Sequence, residues 1–315
     1  GPSRQMKISS LCLTFLARHA IKFLALGVLT GLLLPLLADF MRPILAPVIF
    51  ISMTLALIRL DFSDVASFLR RPVLLLLFAG FALFISPIVM AGAVWAIGLP
   101  AGLAAGLVLM AASAPINSAP AFALILGLDA AFAVAAVVLC HILLPFTLPA
   151  MALWLLGLEL QISLAEFMER LALMIGGGFA LAITVKRWFM NPAAVKHHAS
   201  HIDGLMVVCL MFIAIAIMAG VTEFFFARPG FVLLAIAAAF IANASLQVLG
   251  AVVFLPAGRR LAFTAGHMAG NCNMALILAV LADRAQIEVV IFFALAQLPM
   301  YMLPIVANRV YRRFL

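Results

Sequence analysis

Charge is the scarcest property of this chain. Only 10% of its 315 residues are charged, acids number 11, and 68% are hydrophobic, with a mean hydropathy of +1.30. A water-soluble domain of this length cannot cover its surface with so few polar groups, so the chain reads as an integral membrane protein. Cysteine is also sparse. Cys12, Cys140, Cys209 and Cys272 lie in or beside apolar runs without CxxC spacing, so neither a disulfide framework nor a zinc site is indicated. The chain has no GxxxxGK[ST], HExxH or GxSxG sequence, which argues against nucleotide-driven transport, zinc hydrolysis and a serine nucleophile. No enzyme, cofactor or metal is expected. The acids that do occur, among them Asp61, Asp64, Asp129, Glu159, Glu166, Glu169 and Asp283, fall at expected helix ends, and Asp129 suits an N-cap. Low-complexity linkers are absent as well.

What fills the sequence instead is a series of apolar runs. Crossing ~30 Å of hydrocarbon takes ~20 such residues, and windows of that kind predict ten spans, near 20-37, 43-59, 72-97, 102-126, 130-156, 161-184, 204-224, 231-256, 261-281 and 287-308. Pro72, Pro100, Pro192, Pro229 and Pro256 mark ends, whereas Pro87, Pro115, Pro120, Pro145, Pro299 and Pro304 are interior and should kink or break their helices. Gly176, Gly177 and Gly178 suit a flexible or closely packed helix segment. Gly1-Pro2-Ser3 reads as a cloning remnant, which sets 1-5 apart from a start near Met6, and no cleavable signal peptide is evident.

The net charge of +8 comes from cations in short loops and tails, the pattern of membrane topology rather than of a nucleic-acid surface. With the N-terminus cytoplasmic, Arg42, Arg170, Arg228 and Arg284 fall outside and the other 15 of the 19 lysines and arginines fall inside. Both termini are therefore expected on the cytoplasmic side of an inner membrane. Lys196, His197, His198 and His201 read as solvated loop residues on that side rather than as metal ligands.

Two of the ten segments are interrupted at membrane depth, the fourth of each half. The first break runs from Ala112-Ser113 to Pro120, and the second from Gly266 to Met274. Backbone that leaves the helix inside a bilayer is tolerated only against protein or water, so paired breaks predict an internal binding site. Five spans per half, an odd number, place the halves 6-157 and 158-315 in opposite orientation as inverted repeats.

Several segments carry a resemblance. Leu60-Asp61-Phe62-Ser63-Asp64-Val65 through Arg70-Arg71-Pro72, the Ser-Ala-Pro-Ile-Asn-Ser-Ala-Pro break, Gly270 through Leu276, and Asn243 resemble the cytoplasmic linker, the two helix crossovers and an eighth-helix asparagine of the bile acid:sodium symporter family. The resemblance implies an all-α fold of ten helices, with a panel of helices 1, 2, 6 and 7, and a core of 3, 4, 5, 8, 9 and 10 in which broken helices 4 and 9 cross. It also implies an ion site at that crossing and an organic anion in the cleft between panel and core. The chain departs from the family at the sodium ligands. Aligned there are Ala82, Ala119, Pro120, Ala133, Val137, Met268 and Cys272, so almost every oxygen-bearing side chain is missing, and only backbone carbonyls remain for sodium.

Asn117, Ser118, His267, Asn271 and Asn273 are the polar groups at the breaks, and all are uncharged. Donors at half-helix N-termini with no acid beside them suit an organic anion. Asn243, Gln247, Gln297 and Cys272 are second-tier lining groups. His141 and His267 are the imidazoles deep in apolar runs, and they raise proton coupling as an alternative to sodium. The expected function is secondary transport of a small or amphipathic organic anion by alternating access. A non-transporting membrane receptor or a passive uniporter on the same fold stays open.

Overall fold

The structure, a computed structural model, describes residues 2–157, 161–281 and 284–315, with side chains from residue 8 onward. Glu159 and Asp283, expected at helix ends, lie outside the described residues, as do Gly1 and the side chains of Arg4 and Lys7.

The described residues are helical throughout. In chain order the helices are α1 (Pro2–Arg18), α2 (Ala20–Leu33), α3 (Pro35–Met41), α4 (Leu45–Arg59), α5 (Phe62–Leu69), α6 (Pro72–Gly80), α7 (Ser86–Ile97), α8 (Ala101–Ala112), α9 (Ala119–Ile125) and α10 (Ala130–Leu156). After them come α11 (Leu164–Trp188), α12 (Pro192–His197), α13 (Ala199–Ile217), α14 (Val221–Ala227), α15 (Pro229–Phe254), α16 (Arg259–Gly270), α17 (Met274–Leu281), α18 (Ile287–Leu295) and α19 (Gln297–Phe314). Pro72, Pro192 and Pro229 open helices, where a missing N–H costs nothing. Asp129 Oδ1 caps α10 through the Phe132 amide at 3.0 Å. Between α6 and α7, Phe81–Ile85 widens into a π turn just before Pro87, whose ring cannot fit a regular α-helical turn.

Seven continuous stretches among the described residues are long and apolar enough to cross a membrane. They are Pro35–Arg59, Pro72–Ile97, Ala130–Leu156, Leu164–Trp188, Ala199–Ala227, Pro229–Ala257 and Ile287–Phe314. Ile8–Arg18 with Ala20–Leu33, bent by 86°, makes an eighth if taken together. The expected segments 102-126 and 261-281 are not among them because each is split into two short helices, α8/α9 and α16/α17.

The chain divides into two compact units that do not follow its halves. One comprises Gly1–Leu60 and Gly176–Ala227, the other Asp61–Ile175 and Arg228–Leu315. In the first unit, α13 packs against α1, α2, α3 and α4. Its polar ties are Arg59 Nε to Asp203 Oδ1 at 2.7 Å and Lys186 Nζ to the Leu60 carbonyl at 2.6 Å.

In the second unit, α15 packs along α16, α8 lies between α7 and α18, and Phe68, Phe78, Phe81, Phe132 and Phe254 form a chain of ring contacts. Glycine sets the α15–α16 approach. A Cβ at Gly266 would collide with the Gln247 carbonyl and come within 3.1 Å of the Ala251 nitrogen. At the loop end of the same unit, Asp64 holds its carboxyl above the usual range, first through partial burial and then through the neighbouring charges of Asp61 and Asp129.

Candidate functional site

Both breaks belong to the second unit, and they meet. α8 ends at Ala112 and α9 begins at Ala119, while α16 ends at Gly270 and α17 begins at Met274. The second break is narrower than the sequence suggested. Residues 266–270 stay helical because Gly266 and Gly270 are used for close packing on α15, and only Asn271, Cys272 and Asn273 leave the helix.

The two strips satisfy each other's backbone. Pro115 and Cys272 form an antiparallel bridge. The Ile116 amide donates to the Asn271 carbonyl at 3.0 Å, the Asn273 amide to the Ala114 carbonyl at 2.8 Å, and Ser113 Oγ to the Asn273 carbonyl at 3.0 Å. A buried N–H or C=O without a partner is expensive in an apolar interior, so this exchange is what permits two helices to break side by side. Ser113 was passed over in the sequence, although its place beside the break was the available signal.

Side chains extend from the crossing in two hydrogen-bonded chains. In the first, Gln247 Nε2 donates to Asn243 Oδ1 at 2.6 Å, Asn243 Nδ2 to Asn271 Oδ1 at 3.2 Å, and Asn271 Nδ2 to His267 Nδ1 at 3.3 Å and to the His267 carbonyl at 2.9 Å. In the second, Asn273 Nδ2 lies 3.2 Å from His141 Nε2, and His141 Nδ1 lies 2.8 Å from the Val137 carbonyl. Asn273 Oδ1 also accepts the Leu276 amide at 3.2 Å and so caps α17. Cys272 Sγ donates weakly to the Ala269 carbonyl at 3.4 Å.

Six of the expected residues, Asn243, Gln247, Asn271, Asn273, His141 and His267, are therefore drawn into two chains flanking one crossing. Asn117 and Ser118 sit half-buried on the facing strip, outside both chains. Gln297 is apart from them, its amide donating to the Phe293 carbonyl at 3.1 Å and its Oε1 facing Tyr301 Oη at 3.4 Å. Two atoms at the crossing are buried with no partner, Asn117 Oδ1 and His267 Nε2. The Phe122 ring lies 5.6 Å from the His267 ring. No group of three or more acid, histidine or cysteine side chains among the described residues is arranged to hold a metal ion.

Residues 46–234 match the Sodium Bile acid symporter family. The chain belongs to that family. It is accordingly a multi-pass membrane transporter. No curated protein matches it. Within this symporter-family chain, Ala82, Ala119, Pro120, Ala133, Val137, Met268 and Cys272 are all buried and carry no side-chain oxygen. Three carbonyls of the breaks, those of Ala114, Asn271 and Asn273, already accept hydrogen bonds from the opposite strip.

Proposed function

We propose that this symporter-family protein is a secondary transporter that carries a small or amphipathic organic anion across the inner membrane by alternating access. The observation that carries the reading is the crossing of two broken helices that tie up each other's backbone and surround themselves with neutral amides and imidazoles. An anion gains from such donors in a low-dielectric setting, whereas a cation finds no carboxylate. Further support comes from the paired breaks, which fit ten helices in two inverted five-helix repeats, 6-157 and 158-315. The interleaved units fit a panel and a core. The excess of lysine and arginine on one side fits cytoplasmic termini.

Asn117, Ser118, His267, Asn271 and Asn273 are the proposed contacts, with Asn243, Gln247 and Cys272 lining the site. Sodium is not the favoured partner, because its aligned positions lack oxygen.

A thermal-shift screen of the purified protein against organic anions, followed by uptake into proteoliposomes, tests this reading. Stabilisation follows mass action, so a true ligand raises the unfolding temperature with concentration. Concentrative uptake of that ligand is the expected result. Saturable binding without uptake would replace the reading with a receptor, and equilibration without accumulation under any ion gradient would replace it with a uniporter.

A further inference from the structure

The two buried histidines are not in equivalent positions. His141 has both ring nitrogens engaged, one by Asn273 and one by the Val137 carbonyl. His267 has one, because Nδ1 accepts from Asn271 while Nε2 is buried without a partner. The amides leading to it all point the same way, Gln247 to Asn243 to Asn271 to His267, each donating its N–H to the next acceptor. The remote end of that chain, Gln247, is only partly buried, while Asn243, Asn271 and His267 are 2%, 0% and 2% exposed.

We propose that His267 is the proton-carrying group of this transporter, and that the amide chain Asn271–Asn243–Gln247 reverses direction when the imidazole takes up a proton together with the anion. This rests on the anion-transport reading above and supplies the coupling ion that the sodium positions do not.

The atoms balance in one cycle. A proton from water on one side adds to Nδ1 and makes the imidazolium, and the same proton later leaves to water on the other side. Once Nδ1 carries hydrogen it can no longer accept from Asn271, so the Asn271 amide must turn to present Oδ1. Asn243 then loses its acceptor and turns in the same sense, and Gln247 follows, which leaves the chain donating away from the histidine. Nε2–H, free in both states, is the donor that faces an anionic oxygen. A lone cation and a lone anion are each costly at membrane depth, so the two bind better together, and the preference is reciprocal.

An acid does meet α16, since the Asp129 amide donates to Thr264 Oγ1 at 2.9 Å, one turn before His267. α16 packs on α15, α10 and α9, and its Phe263 ring meets that of Tyr311 on α19. α15 and α9 contain no titratable residue, α10 contributes Cys140 and His141, and the adjoining break contributes Cys272. Arg259 and Arg260 lie at the far end of α16, two turns away.

The test uses the whole protein in lipid nanodiscs and proteoliposomes, with cholate, a bile acid, as the probe anion. With histidine rings and Asn/Gln amides labelled with 15N, His267 should titrate between about pH 5 and 8, and the Asn271 and Asn243 amide resonances should move with it. A His267 that stays neutral across that range, with and without cholate, overturns the proposal. In vesicles, one proton per anion allows roughly tenfold accumulation per pH unit of gradient. His267→Gln, which keeps a hydrogen-bonding amide but cannot titrate, should lose that accumulation, and whatever cholate exchange it keeps should no longer vary with pH. Accumulation unchanged in His267→Gln, or driven by sodium alone, also overturns it. If His267 titrates but the wild type shows no cholate counterflow and no exchange of other carboxylates, the transport reading fails, and the coupling with it.

Discussion

Gly266 and Gly270 govern how closely α16 can lie against α15, and through that contact where Asn271 is delivered. A Cβ at Gly266 meets backbone rather than a movable side chain, so Gly266→Ala should lower stability by about 1–3 kcal/mol, the usual cost of overpacking, read as a lower unfolding temperature in detergent. Asn273 joins a helix cap to an imidazole. Asn273→Ala should cost about 0.5–2 kcal/mol from the lost cap alone, and Asn273→Ser should recover part of it because an uncharged hydroxyl oxygen can still accept the Leu276 amide. Much of this was legible residue by residue. Asparagine and histidine at membrane depth stand out against an apolar background, which singles out His267, Asn271 and Asn273, whereas Asn243 is singled out by the resemblance. Their order of linkage was not legible, since a chain of amides depends on rotamers and helix rotation, which helices apolar on every face do not encode in their periodicity. Gln297 illustrates the same gap, with the right chemistry but a place on another helix face.

At the scale of elements, proline and glycine punctuation foretold that α8/α9 and α16/α17 would be interrupted, but misjudged the extent of the second interruption. Gly-His-Met-Ala-Gly looks like a breaker in sequence, yet a neighbouring helix can use the same glycines as a contact surface without unwinding them. The short helix α5 offers a different check. Asp64 has a folded-state pKa raised from 3.8, chiefly by partial burial and then by Asp61 and Asp129. Folding therefore favours the protonated form. Its contribution is most favourable below the unfolded value and declines as pH rises through the folded one. Asp64→Asn should melt at a higher temperature than wild type at pH 7 and lose that advantage near pH 4. The gain should be at most about 0.5 kcal/mol because the carboxylate is largely solvated.

For the molecule as a whole, hydropathy was enough to reveal a membrane protein, and among the described residues seven to eight stretches meet the length of a span. The interleaving of the two units was beyond hydropathy, because which helices pack together is a property of pairs. Transport assays report at this scale. Replacing external sodium by choline should leave anion uptake by the wild type unchanged, as follows from the proposed proton coupling at His267. The exchange between the two strips also bears on how the protein is made. The partners of the Ile116 amide and the Ala114 carbonyl are Asn271 and Asn273, and at ~5–20 residues per second a ribosome needs on the order of ten to thirty seconds to reach them. For that interval the first strip has no polypeptide to complete it, so the newborn chain must wait, sheltered by water or by the insertion machinery. Ribosomes stalled before Gly270 should release chains that quality-control proteases remove.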